Sequence, residues 1–149
     1  VDGSSMDNTL QDGEVMLIWS LGYTPKQGDI VVLNKTSVLL PGWSEPRAIV
    51  KRVIATEGQT VDIDYTLGTV YVDGQPLDEP YIKEEMYRPG ALSMQQTHWE
   101  VPEGSIFVMG DNRNGSTDSR DERLGTIDTG YILGKAVLAL WPMECFGTV

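Results

Sequence analysis

One cysteine, one histidine and two phenylalanines are all that 149 residues supply of those types. A lone Cys145 excludes an internal disulfide and any zinc site of the usual multi-cysteine spacing, and it reads most simply as a small apolar residue near the C-terminus. With His98 the only imidazole, a histidine-based catalytic triad has one place to find its base. Long hydrophobic runs are missing too. Nothing reaches the roughly 18 apolar residues that a membrane helix requires, and no signal peptide heads the chain. Positive charge is scarce and scattered, 11 Lys+Arg against 22 Asp+Glu, for a net charge of −11. Phosphate binding needs clustered cations, so nucleic acid is excluded as a partner. No repeat, heptad or low-complexity tract is present. Neither metal nor cofactor is expected, and no obligate oligomer.

What is present has the pattern of an all-β protein. Short β-branched apolar runs are punctuated by glycine and proline, which predicts strands at Glu14–Ser20, Gly28–Asn34, Arg47–Ala55, Thr60–Asp64, Thr69–Val72, Ser105–Gly110 and Tyr131–Leu140. Asp73-Gly74 favours a tight hairpin turn, and Pro41-Gly42 and Pro89-Gly90 mark others. Only Ser5–Asp12 and Asp121–Thr129 have room for short helical turns. The expected architecture is one domain over residues 1–149, mainly antiparallel, with coiled sheets sharing one core. A small surface excursion is expected around residues 64–100, its polar part at Glu84–His98. Trp141 is expected in the core; Trp43 and Trp99, in loop-like stretches, are expected to touch lipid headgroups.

Three blocks carry chemistry. In Arg47-Ala48-Ile49-Val50-Lys51-Arg52-Val53-Ile54-Ala55, alternation puts Lys51 on a face with Ile49 and Val53, and Arg52 on a face with Val50 and Ile54. Both faces are apolar, so periodicity does not choose between the two cations, but chemistry does. Arginine keeps its proton, whereas burial penalises the charged form of lysine and can turn it into a base. Such a lysine must fall by roughly two or more units from its ordinary pKa of ~10.4. Alone, Lys51 also reads as a snorkelling strand lysine, and Ser5, in Gly3-Ser4-Ser5-Met6, as an ordinary N-cap. Together they are a hydroxyl nucleophile and an accepted variant of its base. The third block is Gly110-Asp111-Asn112-Arg113-Asn114-Gly115-Ser116-Thr117-Asp118-Ser119-Arg120. As a hairpin turn it is overloaded with charge. As a calcium loop it has Arg113 where an oxygen ligand is needed. A loop that holds a neutral lysine does need such groups.

In order and over nearly the whole chain, these blocks resemble the conserved boxes of bacterial type I signal peptidases. Ser5-Met6-Asp7-Asn8-Thr9-Leu10 resembles the nucleophile box. Gly28-Asp29-Ile30-Val31-Val32 resembles the strand that follows, and Val50-Lys51-Arg52-Val53-Ile54-Ala55 the general-base strand. Phe107–Arg113, Ser116, Asp118-Ser119-Arg120, Gly125, Gly134-Lys135-Ala136 and Trp141-Pro142 complete the pattern. The resemblance implies a β-fold shared with LexA-like proteases and a serine endopeptidase that removes signal peptides after Ala-X-Ala ends. It implies Ser5 as nucleophile, Lys51 as base and Ser116 as its hydrogen-bonding orienter. Asp118 with Arg120, and Asp111 with Arg52, would brace the site. Met6, Leu10, Ile49 and Val50 would line shallow pockets for small residues.

Its implied partners are preprotein signal peptides and a lipid surface, on the extracytoplasmic face of the bacterial membrane, with the family's membrane helices and substrate-pairing segment expected to be trimmed away. Two positions depart from the family pattern: Asn8 stands where proline is usual, and Gly3 where some members carry an oxyanion-stabilising hydroxyl. Two other readings compete. A LexA-like self-cleaving protein needs a cleavable Ala-Gly or Cys-Gly ahead of the serine. A non-catalytic β-domain would bind extended peptides by adding a strand.

Overall fold

The computed structural model describes residues 1–34 and 48–149, apart from the side chain of Cys145. The expected Pro41-Gly42 turn, Trp43 and the first residue of the Arg47–Ala55 strand fall outside the described residues. The strands in chain order are β1 Val15–Trp19, β2 Ile30–Asn34, β3 Ala48–Thr56, β4 Thr60–Asp64, β5 Thr69–Val72, β6 Gln75–Pro76, β7 His98–Glu100, β8 Ser105–Met109, β9 Ile127–Asp128, β10 Ile132–Trp141 and β11 Gly147–Thr148. Seven coincide with the predicted runs to within two residues at each described end. The other four, β6, β7, β9 and β11, have two or three residues each, too few for alternation to register.

All pairings are antiparallel. One sheet runs β1-β10-β2-β3-β8-β9 with β11 added to β10, and the other runs β6-β5-β4-β7. The β5–β6 connection turns on Asp73 (φ 50°) and Gly74 (φ 77°), the pair of positive φ angles that an Asp-Gly hairpin supplies most cheaply.

β3 is buried on both faces, which is why its sequence is apolar without alternation. On one face Ile49 and Val53 pack with Val31, Leu33, Ile106 and Val108. Ile54 and Ala55, with Phe107 and Met109 of β8, pack against Val61, Ile63, Val70, Val72 and Trp99 of the second sheet. The two sheets therefore share a core through β3 and β8. Met6, Leu10, Ile30 and Ala136 form a third cluster beneath the N-terminal turn.

Three expectations about this core are corrected. Glu84–His98 is not purely surface: Met86 and Met94 reach inward and are buried, anchoring an otherwise polar stretch. Trp99 is likewise buried, with its ring 4.9 Å from that of Phe107, and so is not available to lipid. Trp141, expected in the core, is 59% exposed at the outer end of β10, opposite Val15 of the edge strand β1.

Phe107 joins the sheets from a fully buried position. Phe107→Ala is expected to cost about 3–5 kcal/mol of stability through lost burial and the cavity left behind. Urea unfolding followed by tryptophan fluorescence measures it, and a loss below about 1 kcal/mol would mean that the sheets do not depend on this contact.

Candidate active site

The chain reaches Ser5 through a compact set of turns, in which Asp7 N–H donates to Ser4 O and both Thr9 and Leu10 N–H donate to Met6 O. Met6 and Leu10 stand four residues apart, on one side of the turn, and are buried together. Val50 packs against that cluster, whereas Ser5 reaches Lys51, whose side chain leaves the opposite face of β3. The turn thus straddles the edge of β3 left open where β8 ends, with Met109 opposite Arg52.

Ser5 Oγ and Lys51 Nζ are 2.7 Å apart, and Nζ also lies 3.1 Å from Val50 O. Lys51 is 3% exposed, with Val31 opposite it and Ile49 and Val53 flanking it on its own face. Burial pushes its ammonium down from the ordinary 10.5 to about 8. The Arg120 guanidinium adds to the drop, while the Asp118 and Asp111 carboxylates oppose it. Lys51 is therefore held where proton transfer near neutrality is accessible.

Arg52, the next residue, meets a different environment. Its Nε and NH2 donate to the two Asp111 oxygens at 2.8 and 2.7 Å, its NH1 donates to Gly28 O, and its guanidinium lies 3.9 Å over the Tyr81 ring. Thr9 Oγ1 donates to Asp111 Oδ2 at 2.5 Å, tying the serine turn to this ion pair.

The loop after β8 is organised by Asp118 and Arg120, both wholly buried. Arg120 Nε and NH2 donate to Asp118 Oδ1 and Oδ2 at 2.8 and 2.9 Å, NH2 also reaches Arg113 O, and Gly110 N–H donates to Asp118 Oδ2. Burial alone would raise the Asp118 carboxyl, but Arg120 and the Gly110 N–H hold it below the usual carboxylate range. A side chain at Gly110 would collide with this arrangement: a Cβ there would lie 2.3 Å from Ser116 Oγ and 2.4 Å from Ser5 O.

The expected hydrogen bond from Ser116 to Lys51 is not made. Ser116 Oγ is buried against Gly110, in the same crowded spot as Ser5 O, and has no hydrogen-bond partner among the described residues. The four expected pocket residues also separate. Met6, Leu10 and Val50 belong to one cluster and Ile49 to another, because alternation sends Ile49 and Val50 to opposite faces of β3. A depression of about 370 Å³ beside the Ser5 turn is lined by polar groups, Ser4, Asp7, Asn8, Gln11, Asp12 and Lys83. His98, on β7, is exposed and bonded to Asp62 at 2.6 Å.

Sequence reasoning missed the segment that braces this loop from outside. Glu79 pairs with Arg113, Lys83 N–H donates to Asp111 O, and Lys83 Nζ meets Asp7 at 3.0 Å. It also missed the contacts of Asn112 with the serine turn. The available signal was Glu79-Pro80-Tyr81-Ile82-Lys83, an aromatic between an acid and a basic residue, but nothing local says which loop it covers.

A hydroxyl beside a buried amine of lowered pKa is an arrangement with which a serine hydrolase can work without histidine. The comparisons agree. The family model described as signal peptidase, peptidase S26, matches residues 1–141. A probable signal peptidase I-1 of Synechocystis sp. is 37% identical over 99% of this chain and 72% of its own length. Signal peptidase I of Bacillus licheniformis is 36% identical over 97% of this chain and 76% of its own. The crystal structure of a signal peptidase I from Enterococcus faecalis superposes with a TM-score of 0.55 at 28% identity, covering 76% of this chain and 97% of that one. The chain belongs to the signal peptidase family, peptidase S26. It is a serine endopeptidase that removes signal peptides, so neither competing reading of the sequence is needed.

Asp118→Ala would leave the Arg120 guanidinium buried without its counter-charge. The expected cost is about 3–5 kcal/mol in urea unfolding at neutral pH. An unfolding midpoint equal to that of the parent chain would show that the ion pair does not hold the loop.

Proposed function

We propose that Ser5 and Lys51 carry out the cleavage and that the substrate is an extended segment with small residues, Ala-X-Ala, before the cut. The observation behind this reading is the 2.7 Å approach of Ser5 Oγ to the buried Lys51 Nζ. Neutral Lys51 takes the Ser5 proton as Oγ attacks the scissile carbonyl. The resulting ammonium returns that proton to the leaving amine as the C–N bond breaks. Lys51, neutral again, deprotonates a water that attacks the ester carbonyl, and its ammonium returns that proton to Ser5 Oγ as the ester C–O bond breaks. The Ser5 N–H serves as oxyanion donor, an interaction of a kind typically worth ~2.7–4 kcal/mol, and Gly3 adds no hydroxyl to it. The peptide lies along Ala48–Val50 of β3, where β8 no longer continues the sheet. Asp118, Arg120, Asp111 and Arg52 hold the site, and Ser116 closes its floor at Gly110.

The chain works at the bacterial membrane, on the extracytoplasmic face. Among the described residues no helix is long and apolar enough to cross a bilayer. Support for a lipid partner comes instead from Val15, Leu17 and Trp19 of β1, with Leu21, Trp141, Met143 and Phe146, all at least half exposed. Such a concentration of exposed apolar side chains suits the headgroup boundary.

Cleavage of an Ala-X-Ala peptide after the last alanine is expected to vanish in Ser5→Ala and Lys51→Ala, with folding retained by circular dichroism. For the parent chain kcat/KM should rise with pH through about 8, because only the deprotonated lysine acts as base. Below that it should fall about tenfold per pH unit. A profile flat from pH 5.5 to 7.5 would remove Lys51 from the role. Replacing Leu17 and Trp19 with serine should weaken binding to phospholipid vesicles by about tenfold or more at unchanged Tm. Unchanged vesicle binding would exclude this face as the lipid contact.

A further inference from the structure

Asn112 holds the nucleophile's backbone from both sides. Its Nδ2 donates to Ser4 O at 3.0 Å, and its own N–H donates to Ser5 O at 3.0 Å. These two carbonyls belong to the peptide units before and after the Ser5 Cα. A trans peptide is planar, with its C=O and N–H pointing in opposite directions. Anchoring Ser4 O therefore aims the Ser5 N–H directly away from the Asn112 amide. Anchoring Ser5 O sets the second plane, and with both planes set the direction of the Ser5 Cα–Cβ bond follows. We infer that Asn112 is a positioning residue for the peptidase reaction: it aims the Ser5 N–H at the developing oxyanion and the Ser5 Oγ at Lys51.

The surroundings explain why this task falls on one residue of the loop. Asn112 begins the 3₁₀ turn Arg113–Gly115 with its side chain free of any capping bond there. Its amide packs over Gly115, where a Cβ would come within 2.6 Å of Nδ2, so the glycine leaves the amide the room it occupies. The same loop is closed behind it, since Arg113 Nε donates to Gly110 O and Arg120 NH2 to Arg113 O. Within the serine turn Ser4 O receives only a longer bond, 3.2 Å from Asp7 N–H. Asn8 stands in the middle of that turn, so no proline stiffens it from within. The far end is tied by Thr9 to Asp111, the residue just before Asn112. Residues 111 and 112 thus grip the turn at both ends, and Asn112 bonds to both of the peptide planes that flank Ser5, whereas Asp7 N–H reaches only the first.

This inference rests on the Ser5–Lys51 reading for its consequence but not for its geometry, and the two are separable. In the ¹⁵N-labelled chain, weakly aligned, the residual dipolar coupling of the Ser5 N–H reports the direction of that bond without any substrate. In Asn112→Ala, which keeps the backbone donor to Ser5 O, this coupling is expected to shrink to less than about half its original size through averaging, while couplings in β3 and β8 stay unchanged. Isosteric Asn112→Asp, which sets an oxygen against Ser4 O, is expected to do the same and serves if the alanine variant does not fold.

With an Ala-X-Ala peptide, kcat should fall by about 100-fold at a KM changed by less than about two-fold. Affinity for a peptide boronate, which forms a tetrahedral adduct on the serine, should fall with kcat/KM, whereas a non-cleavable peptide should bind as before. A Ser5 coupling unchanged in both variants would overturn the inference, as would equal losses for boronate and non-cleavable peptide. A parent chain that neither cleaves nor takes up boronate, but whose Ser5 coupling still responds to Asn112, would count against the peptidase assignment of Ser5 and leave the positioning geometry standing.

Discussion

The Asp118–Arg120 ion pair is the contact on which the site depends. Two opposite charges lie fully inside the protein, joined by two hydrogen bonds and completed by the Gly110 N–H and the Arg113 carbonyl. An apolar pair of the same volume would fill the space, but it would leave those backbone groups unsatisfied. The pair thus gives a loop without regular structure a single shape. It also sits close enough to act on Lys51 with both signs, the carboxylate favouring the ammonium and the guanidinium disfavouring it. The two influences oppose each other, so burial is left as the leading cause of the lowered pKa.

The neighbouring cations of β3 show how one strand gives opposite fates to similar residues. Lys51 and Arg52 are both buried, one on each face. Arg52 finds a carboxylate with matching two-pronged geometry, a carbonyl and an aromatic ring, and stays charged as a brace. Lys51 finds aliphatic side chains and a serine hydroxyl. Arginine cannot surrender its proton in this setting and lysine can, so exchanging the two would lose both the brace and the base.

Ser5, the proposed nucleophile, sits on a short turn that cannot be stable alone. Met6 and Leu10 bury its apolar side, Thr9 ties its end to Asp111, and Asn112 holds its carbonyls. Glu79 and Lys83, from the segment that follows the second sheet's hairpin, then brace the 110–120 loop from outside, while Tyr81 of that segment lies against Arg52 of β3. The second sheet is therefore part of the support of the candidate site as well as part of the core, through Phe107 and Trp99 on one side and this segment on the other.

Much of this was legible along the chain, for reasons that are local. Strands of four or more residues announce themselves by β-branched runs, and Asp73-Gly74 by its need for positive φ. Ser5, Lys51 and the 110–120 loop could be singled out because their residue types limit their chemistry: one histidine, outside every motif, left lysine as the base. Contacts between segments distant in sequence were not legible. Whether Trp99 is buried depends on which sheet covers it, and periodicity over the three residues of β7 says nothing of that; Trp141 ends the ten-residue β10, and its exposure depends on what lies beyond that strand end. The placement of Ser116 against Gly110 rather than on Lys51, the parting of Ile49 from Met6 and Leu10, and the grip of Asn112 on Ser4 and Ser5 are likewise set by how the serine turn straddles the open edge of β3. The sequence by itself determined which groups can react, because protonation chemistry belongs to the residue type. Only the tertiary structure decided which of them meet, because a contact between residues 5, 51 and 112 is a property of packing and has no signature in any one stretch of chain.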